Sequence, residues 1–320
     1  MTINKLPNDV LLDMFKFYVD MPSLVDTCTM DSYIDRWQVL VHVCQRWRWL
    51  VFASPRRLRL ELLCTNSRPV KTKLDIWPAL PIIVYVDIWT LARHGVSNIV
   101  FALKQHHRVS AIEISNSPKS MLEEFAAIDK PFPVLEDLAL WLNPENLDSP
   151  IFPDSFLGGS APRLRTLHLD RIPFPALPKL LLSATDLDTL HLYWVPHSGF
   201  ISPNAMAAAL SALKRLKSFR LLFATSRSWA HRKHQHPSAV TRTILPALTD
   251  LRLRGDVEYM EDFMSQIDTP VIDVAYITIM FFGQTEPDTP LLRDFICRTE
   301  AFNYRAEVII DKKCTSQNFF

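Results

Sequence analysis

The sequence predicts an α/β protein, with a small helical N-terminal module followed by short parallel strands that alternate with return helices. Three observations carry this. A short phrase, apolar-x-x-apolar-x-apolar, recurs between Val109 and Ile277. The longer stretches between its copies hold apolar residues at three- and four-residue steps, and two amphipathic stripes stand apart from that pattern in the first fifty-odd residues.

The first stripe opens at Leu6-Pro7-Asn8-Asp9. Pro7 suits the first helical turn, where its missing N–H costs nothing, and Asn8 and Asp9 put polar and negative groups at the positive end of the helix dipole. Leu11, Met14, Phe15 and Tyr18 then fall at i, i+3, i+4 and i+7 on one face. The second stripe, Trp37, Leu40, Val41, Cys44, Trp47 and Val51, reads as one helix stopping at Ser54-Pro55. From Pro55 to Gln105 come a strand-like Leu58 to Cys64, a turn at Trp77-Pro78-Ala79-Leu80-Pro81 and a strand-like Ile82 to Val86, together read as a cap on the strands that follow.

The recurring phrase appears as Val109-Ile112-Ile114, Leu135-Leu138-Leu140, Leu164-Leu167-Leu169, Leu187-Leu190-Leu192, Leu216-Phe219-Leu221, Leu248-Leu251-Leu253 and Ile272-Ala275-Ile277. Its copies start 26, 29, 23, 29, 32 and 24 residues apart, close to the leucine-rich-repeat period of roughly 20–29 residues. Helices are expected over Met121 to Ile128, Leu177 to Ala184, Asn204 to Leu213 and Tyr259 to Ile267. Pro131, Pro133, Pro162, Pro173, Pro175, Pro246 and Pro270 fall between those elements. One strand and one helix cannot bury an apolar face alone, so stacked neighbours would supply the core of an irregular solenoid. The repeat family's Asn or Cys after the last leucine is present only as Asn143; the equivalent places hold Ile172, Val195, Ala224 and Asp256. A competing reading of the same phrases is an ordinary α/β domain whose strands begin with leucine. A helix over Leu291 to Phe302 and a strand over Ala306 to Ile310 would close the stack. The expected divisions are a helical module over 1–57, a connecting cap over 58–105, repeats over 106–311 and a polar tail over 312–320.

Composition narrows the function. Among 320 residues, 35 Lys and Arg nearly cancel 34 Asp and Glu, so nothing suggests bulk attraction to nucleic acid or an anionic membrane. Five scattered cysteines without a Cys-x-x-Cys pair fit reduced thiols, and no apolar run is long enough to cross a bilayer; a cytoplasmic or nuclear protein is expected. Six dispersed glycines provide no Gly-rich phosphate loop and no Gly-x-Ser-x-Gly elbow, so no catalytic residue, cofactor or metal is assigned. His231, His234 and His236 share a loop with Arg232 and Lys233, whose charge opposes a cation. His168, His191 and Asp170 are a weak ligand set.

Leu6-Pro7, the Leu11 to Phe15 helix and Val43-Cys44-Gln45-Arg46-Trp47 resemble the F-box, with its opening Leu-Pro and its Val-Cys-x-x-Trp signature. The spacer from Asp20 to Asp35 is longer than the family's usual connection. The run from Trp37 to Arg48, Phe52 to Leu58 and Asp75 to Pro78 is similar to F-box proteins of mushroom-forming fungi. The resemblance implies docking on the Skp-type adaptor of an SCF-type ubiquitin ligase, on its cullin scaffold, through Leu6, Pro7, Leu11, Phe15, Val43, Cys44, Trp47 and Leu50. It also implies capture of a client protein that the sequence does not identify.

In a parallel stack, alternate strand residues face outward in columns. One column is Glu113, Ala139, His168, His191, Arg220, Arg252 and Tyr276; its neighbour is Ser115, Trp141, Asp170, Tyr193, Leu222, Arg254 and Thr278. Aromatic and arginine side chains are enriched in binding hot spots. The expected client contacts are therefore Trp141, His168, His191, Tyr193, Arg220, Arg252, Arg254 and Tyr276, with the arginines favouring an acidic or phosphorylated segment. The sequence thus points to a non-enzymatic substrate receptor. The alternatives are a repeat-type binding protein without ligase association and an enzyme of unrecognised type.

Overall fold

A computed structural model describes residues 5–20, 36–65, 70–86, 95–115, 119–142, 150–224, 242–281, 288–299 and 306–312; for 306–312 and Phe281 it describes the backbone alone. The chain divides into two compact units, Met1–Ala111 and Ile112–Phe320.

In the first unit, α1 (Asn8–Asp20) starts directly after Pro7, whose carbonyl accepts the Leu11 N–H at 3.1 Å. Its buried residues are Leu11, Leu12 and Phe15, whereas Met14 and Tyr18 are exposed. The buried stripe is thus turned toward Leu12 from the one that spacing suggested. Apolar residues surround most of this helix, so spacing alone does not select a side. The second stripe is not one helix. It forms α2 (Trp37–Val41) and α3 (Gln45–Ala53), separated by Cys44 in an extended conformation. The Arg48 guanidinium donates to the Val41 carbonyl at 3.0 Å, satisfying an end carbonyl of α2.

These helices share a core with the chain that follows, including Leu58, Leu60, Leu62 and Leu80, so the first unit runs well past the expected module end at residue 57. Trp37, fully buried, lies at its centre: its indole N–H donates to the Glu61 carbonyl at 3.0 Å and its ring meets Trp77 edge-on at 5.0 Å. Residues 55–59 form turns, which shortens the expected first strand to β1 (Leu62–Thr65). It pairs in parallel with β2 (Ile82–Val86). Two helices here, α4 (Val70–Ile76) and α5 (Gly95–Leu103), escaped the sequence reading. Only Val70 of α4 is buried, so that helix leaves no apolar period to detect. The division between units falls within β3 (Val109–Ser115).

In the second unit, parallel strands stand in chain order: β4 (Asp137–Trp141), β5 (Thr166–Asp170), β6 (Thr189–Val195), β7 (Ser218–Phe223), then β9 (Asp250–Asp256), β11 (Val274–Phe281) and β12 (Ala306–Lys312). Between β7 and β9 the chain forms β8 (Thr243–Ile244), which pairs separately with β10 (Ile267–Asp268). Helices α6 (Lys119–Ala126), α7 (Leu177–Leu181), α8 (Pro203–Leu210), α9 (Val257–Ser265) and α10 (Pro290–Arg298) fall where helical spacing placed them, each within a few residues. The interior residues of the phrase are in register, Leu138 with Leu167, Leu167 with Leu190, Leu190 with Phe219, Phe219 with Leu251 and Leu251 with Ala275, and all are buried. Phe219 meets Phe263 of α9 at 6.0 Å, placing that helix against the leucine face. Burying each such leucine or phenylalanine side chain contributes about 1.5–3 kcal/mol. Ile172, in the place of a repeat-type Asn, is buried and apolar; Asn143 lies outside the described residues.

Side chains cap three helices of this unit. Ser202 accepts the Ala205 N–H at 3.3 Å to open α8, and Asp256 accepts the Tyr259 N–H at 2.8 Å to open α9. Burial pushes the Asp256 carboxyl up to about 6, despite that hydrogen bond. Glu261, itself on α9, holds the start of α10: its two carboxylate oxygens accept the Leu291 and Leu292 N–H groups at 2.9 and 2.8 Å. At the far end of α10, Arg298 donates to Asp268 at 2.9 Å and to the Met264 carbonyl at 2.7 Å. Removing a buried acceptor strands both donors, so Glu261→Ala should destabilise the protein by about 2–3 kcal/mol in urea unfolding. A loss under about 0.5 kcal/mol would show that Glu261 does not anchor α10.

Candidate functional site

On the sheet of the second unit, residues alternating with the leucines face away from the helices. The register sets Ala139, His168, His191, Arg220, Arg252 and Tyr276 side by side on successive strands, the row expected from spacing. Neighbouring strands lie ~4.8 Å apart, so these side chains touch. The His168 and His191 rings are 4.4 Å apart, Trp141 meets His168 at 6.2 Å, and the Arg252 guanidinium lies 5.0 Å from the Tyr276 ring centre.

A hub that the sequence reading did not name ties this row together. Asp250 Oδ2 accepts from Arg220 at 2.7 Å and from Ser218 Oγ at 2.9 Å, while Oδ1 accepts from Arg252 at 3.1 Å. Burial pushes the Asp250 carboxyl upward, but these hydrogen bonds outweigh it and leave the group below its ordinary range. Asp250 was legible in principle: the row one step before the arginines is Asp137, Thr166, Thr189, Ser218, Asp250 and Val274. Extending the columns by two residues would have found it.

Of two expected contact residues, Arg220 is engaged by its neighbours and His191 is buried. Arg220 donates to Asp250 at 3.1 and 2.7 Å and to the Tyr193 hydroxyl at 3.0 Å, so it supports the face from within. His191 is only 7 % exposed, with Nε2 2.8 Å from Ser218 Oγ and Nδ1 3.3 Å from the Tyr193 hydroxyl. With both ring nitrogens engaged, neither is aimed at a cation beside Asp170. Among the described residues no group of three or more His, Cys, Asp or Glu is arranged to hold a metal. His231, His234 and His236 lie outside the described residues.

The second expected row breaks at β6. Leu192 pairs with Leu221 and Val195 with Phe223, so β6 carries one more residue than β7 over this span, and Trp194 adopts φ 51°. A left-handed conformation is unusual for a bulky side chain. It brings the Trp194 ring to the open face, 5.1 Å from the Arg254 guanidinium and 5.8 Å from that of Arg171. The adjacent aromatics Tyr193-Trp194, which break the apolar alternation, were the available signal. Next to this bulge, Leu222, Arg252, Leu253, Arg254, Tyr276 and Thr278 line an open pocket of about 280 Å³.

The first unit holds the other predicted site. Leu11, Phe15 and Leu50 are buried, so they hold the helices together and are not contact residues in this structure. Trp47 is partly buried, its ring 4.6 Å from Phe15. Pro7 and Val43 are exposed, and Leu6 and Cys44 are half-buried. Arg46 secures the Leu6-Pro7 corner, donating to the Leu6 carbonyl at 2.6 Å and to Asn8 Oδ1 at 2.7 Å. Apolar side chains that spacing had not assigned as contacts are also exposed on these helices: Val10, Phe17 and Trp49, the last two at 69 % and 64 %.

The histidine row generates a pH prediction. Burial, reinforced by His168 and Arg220, pushes His191 down to about 3 from an ordinary 6.5. Between those values the unfolded chain binds a proton that the folded chain refuses, so stability falls as pH drops below about 6.5, by up to ~1.4 kcal/mol per pH unit. Chemical denaturation from pH 7 to pH 4 should therefore show a shallower pH slope in His191→Gln than in the native chain, by up to about one proton. Identical slopes would mean that His191 titrates normally in the fold.

Neither a protein-family model nor a curated protein matches this chain.

Proposed function

We propose that the protein is a substrate receptor of an SCF-type ubiquitin ligase, docking on the Skp-type adaptor through its N-terminal helices and binding a client through the arginine and aromatic face of a leucine-rich-repeat-like sheet. The observation that carries the reading is the ordered motif at the amino end, Leu6-Pro7 followed by Val43-Cys44-Gln45-Arg46-Trp47, together with the exposed apolar side chains on the same helices. Monomeric proteins seldom leave several large apolar groups in water on one small element, and such groups commonly mark a contact surface. The in-phase strands support the repeat part of the reading. The receptor's contribution is proximity: tethering raises the effective concentration of a client lysine near the activated ubiquitin.

One observation favours a second reading, a repeat-type binding protein without ligase association. Leu11, Phe15 and Leu50 are accounted for by the unit's own core, with no partner required. Co-expression with a Skp-type adaptor separates the two. The ligase reading expects co-purification, lost by about tenfold or more in Val43→Asp and Pro7→Asp with little change in thermal midpoint. Leu11→Ala and Trp47→Ala should lower that midpoint as well, since both contribute to the core. Failure of the native chain to retain the adaptor would select the second reading.

A further inference from the structure

The pocket between β7, β9 and β11 is built around a guanidinium that its own carboxylate only half satisfies. Asp250 is shared: Arg220 holds Oδ2 at 2.7 Å and Arg252 reaches Oδ1 at 3.1 Å through Nε alone. Two positive charges therefore meet one negative charge. The Arg252 guanidinium lies over the Tyr276 ring, 5.0 Å from its centre, a contact that restrains it. Its side chain remains 43 % exposed, against 25 % for Arg220. Arg254, two residues along the strand and on the same face, lies over Trp194 and lines the same pocket, with Thr278 beside it and Leu222 as apolar lining. A guanidinium fork over an aromatic ring, next to the apolar Leu222, matches a planar anion on a short aliphatic stem.

We propose that this pocket binds the carboxylate of a glutamate or aspartate side chain in an acidic peptide segment, with Arg252 as the principal contact and Arg254 as a second cation at the rim. The inference rests on the reading of this face as the client-binding surface, and it narrows the client chemistry. Charge alone does not separate a carboxylate from a phosphate monoester of about 1.5–2 negative charges, because Arg254 adds a third cation beside Arg220 and Arg252; the single planar fork of Arg252 is what favours the planar carboxylate. Arg220 takes no direct part, because its nitrogens are already bound to Asp250 and Tyr193.

The test uses fluorescein-labelled peptides Glu-Leu-Glu-Leu-Glu, its Gln counterpart and its phosphoserine counterpart, titrated with the full chain by fluorescence anisotropy at low and at physiological salt. The Glu peptide should bind at least about tenfold more tightly than the Gln peptide, and weaken as salt rises. Arg252→Ala should weaken it about tenfold, and Arg252→Lys, which keeps the charge but loses the planar fork, about threefold or more. Arg215→Ala, on an exposed turn paired with Asp186, should bind as the native chain does. Thermal unfolding of each variant checks that the fold is kept, and Arg252→Lys provides the comparison if Arg252→Ala is unstable. Equal binding of Glu and Gln peptides, or an unchanged affinity in both Arg252 variants, overturns the proposal. A phosphoserine peptide binding over tenfold more tightly than the Glu peptide overturns it too, by showing dianion selectivity. If the Glu peptide binds as expected but the adaptor does not co-purify, the ligase reading alone falls.

Discussion

In the second unit, the leucines of successive strands keep the same phase, and both the core and the candidate binding face follow from that. A slip of one residue between β5 and β6, or between β7 and β9, would carry the leucines to the open side and the arginines and histidines against the helices. Leu167, Leu190, Phe219 and Leu251 stay in register and buried, so the hydrophobic effect that assembles the core also determines which side chains meet on the other side.

That outward face is partly buried, and Asp250, Ser218, Arg220, Tyr193 and His191 are hydrogen-bonded to one another. Asp250 is the centre: without it, Arg220 and Arg252 would stand two strands deep in like charge. The same arrangement makes the histidine pair unwelcoming to protons, since burial and the nearby guanidinium of Arg220 both favour neutral rings. Side chains held in this way lose little freedom when a ligand arrives, which favours binding. The left-handed Trp194 adds an aromatic surface where regular alternation would not have put one.

The first unit meets a different constraint. Its helices are short, and Trp37, Phe15 and Leu11 must build a core together with Leu58, Leu62 and Trp77 from the segment behind them. That core takes up Leu11, Phe15 and Trp37, while Pro7, Val43, Phe17 and Trp49 stay exposed. The motif that resembles an F-box therefore divides into residues that shape the surface and residues that present it.

Periodicity was enough to place β3 to β7, β9 and β11, the helices α6 to α9 between them, and the row from His168 to Tyr276, but not the short β8 and β10, because a period of two and a constant phase are local properties that survive in the bare chain. It could not show that α1 buries Leu12 in place of Met14, that the chain breaks at Cys44, or that α4 exists, since those depend on which neighbours are present to cover an apolar group. The pair Tyr193-Trp194 signalled an irregularity, but the left-handed turn of Trp194 and the sharing of Asp250 were likewise out of reach. A hydrogen-bond hub arises from the separation of residues on different strands, and that separation exists only once the sheet has formed.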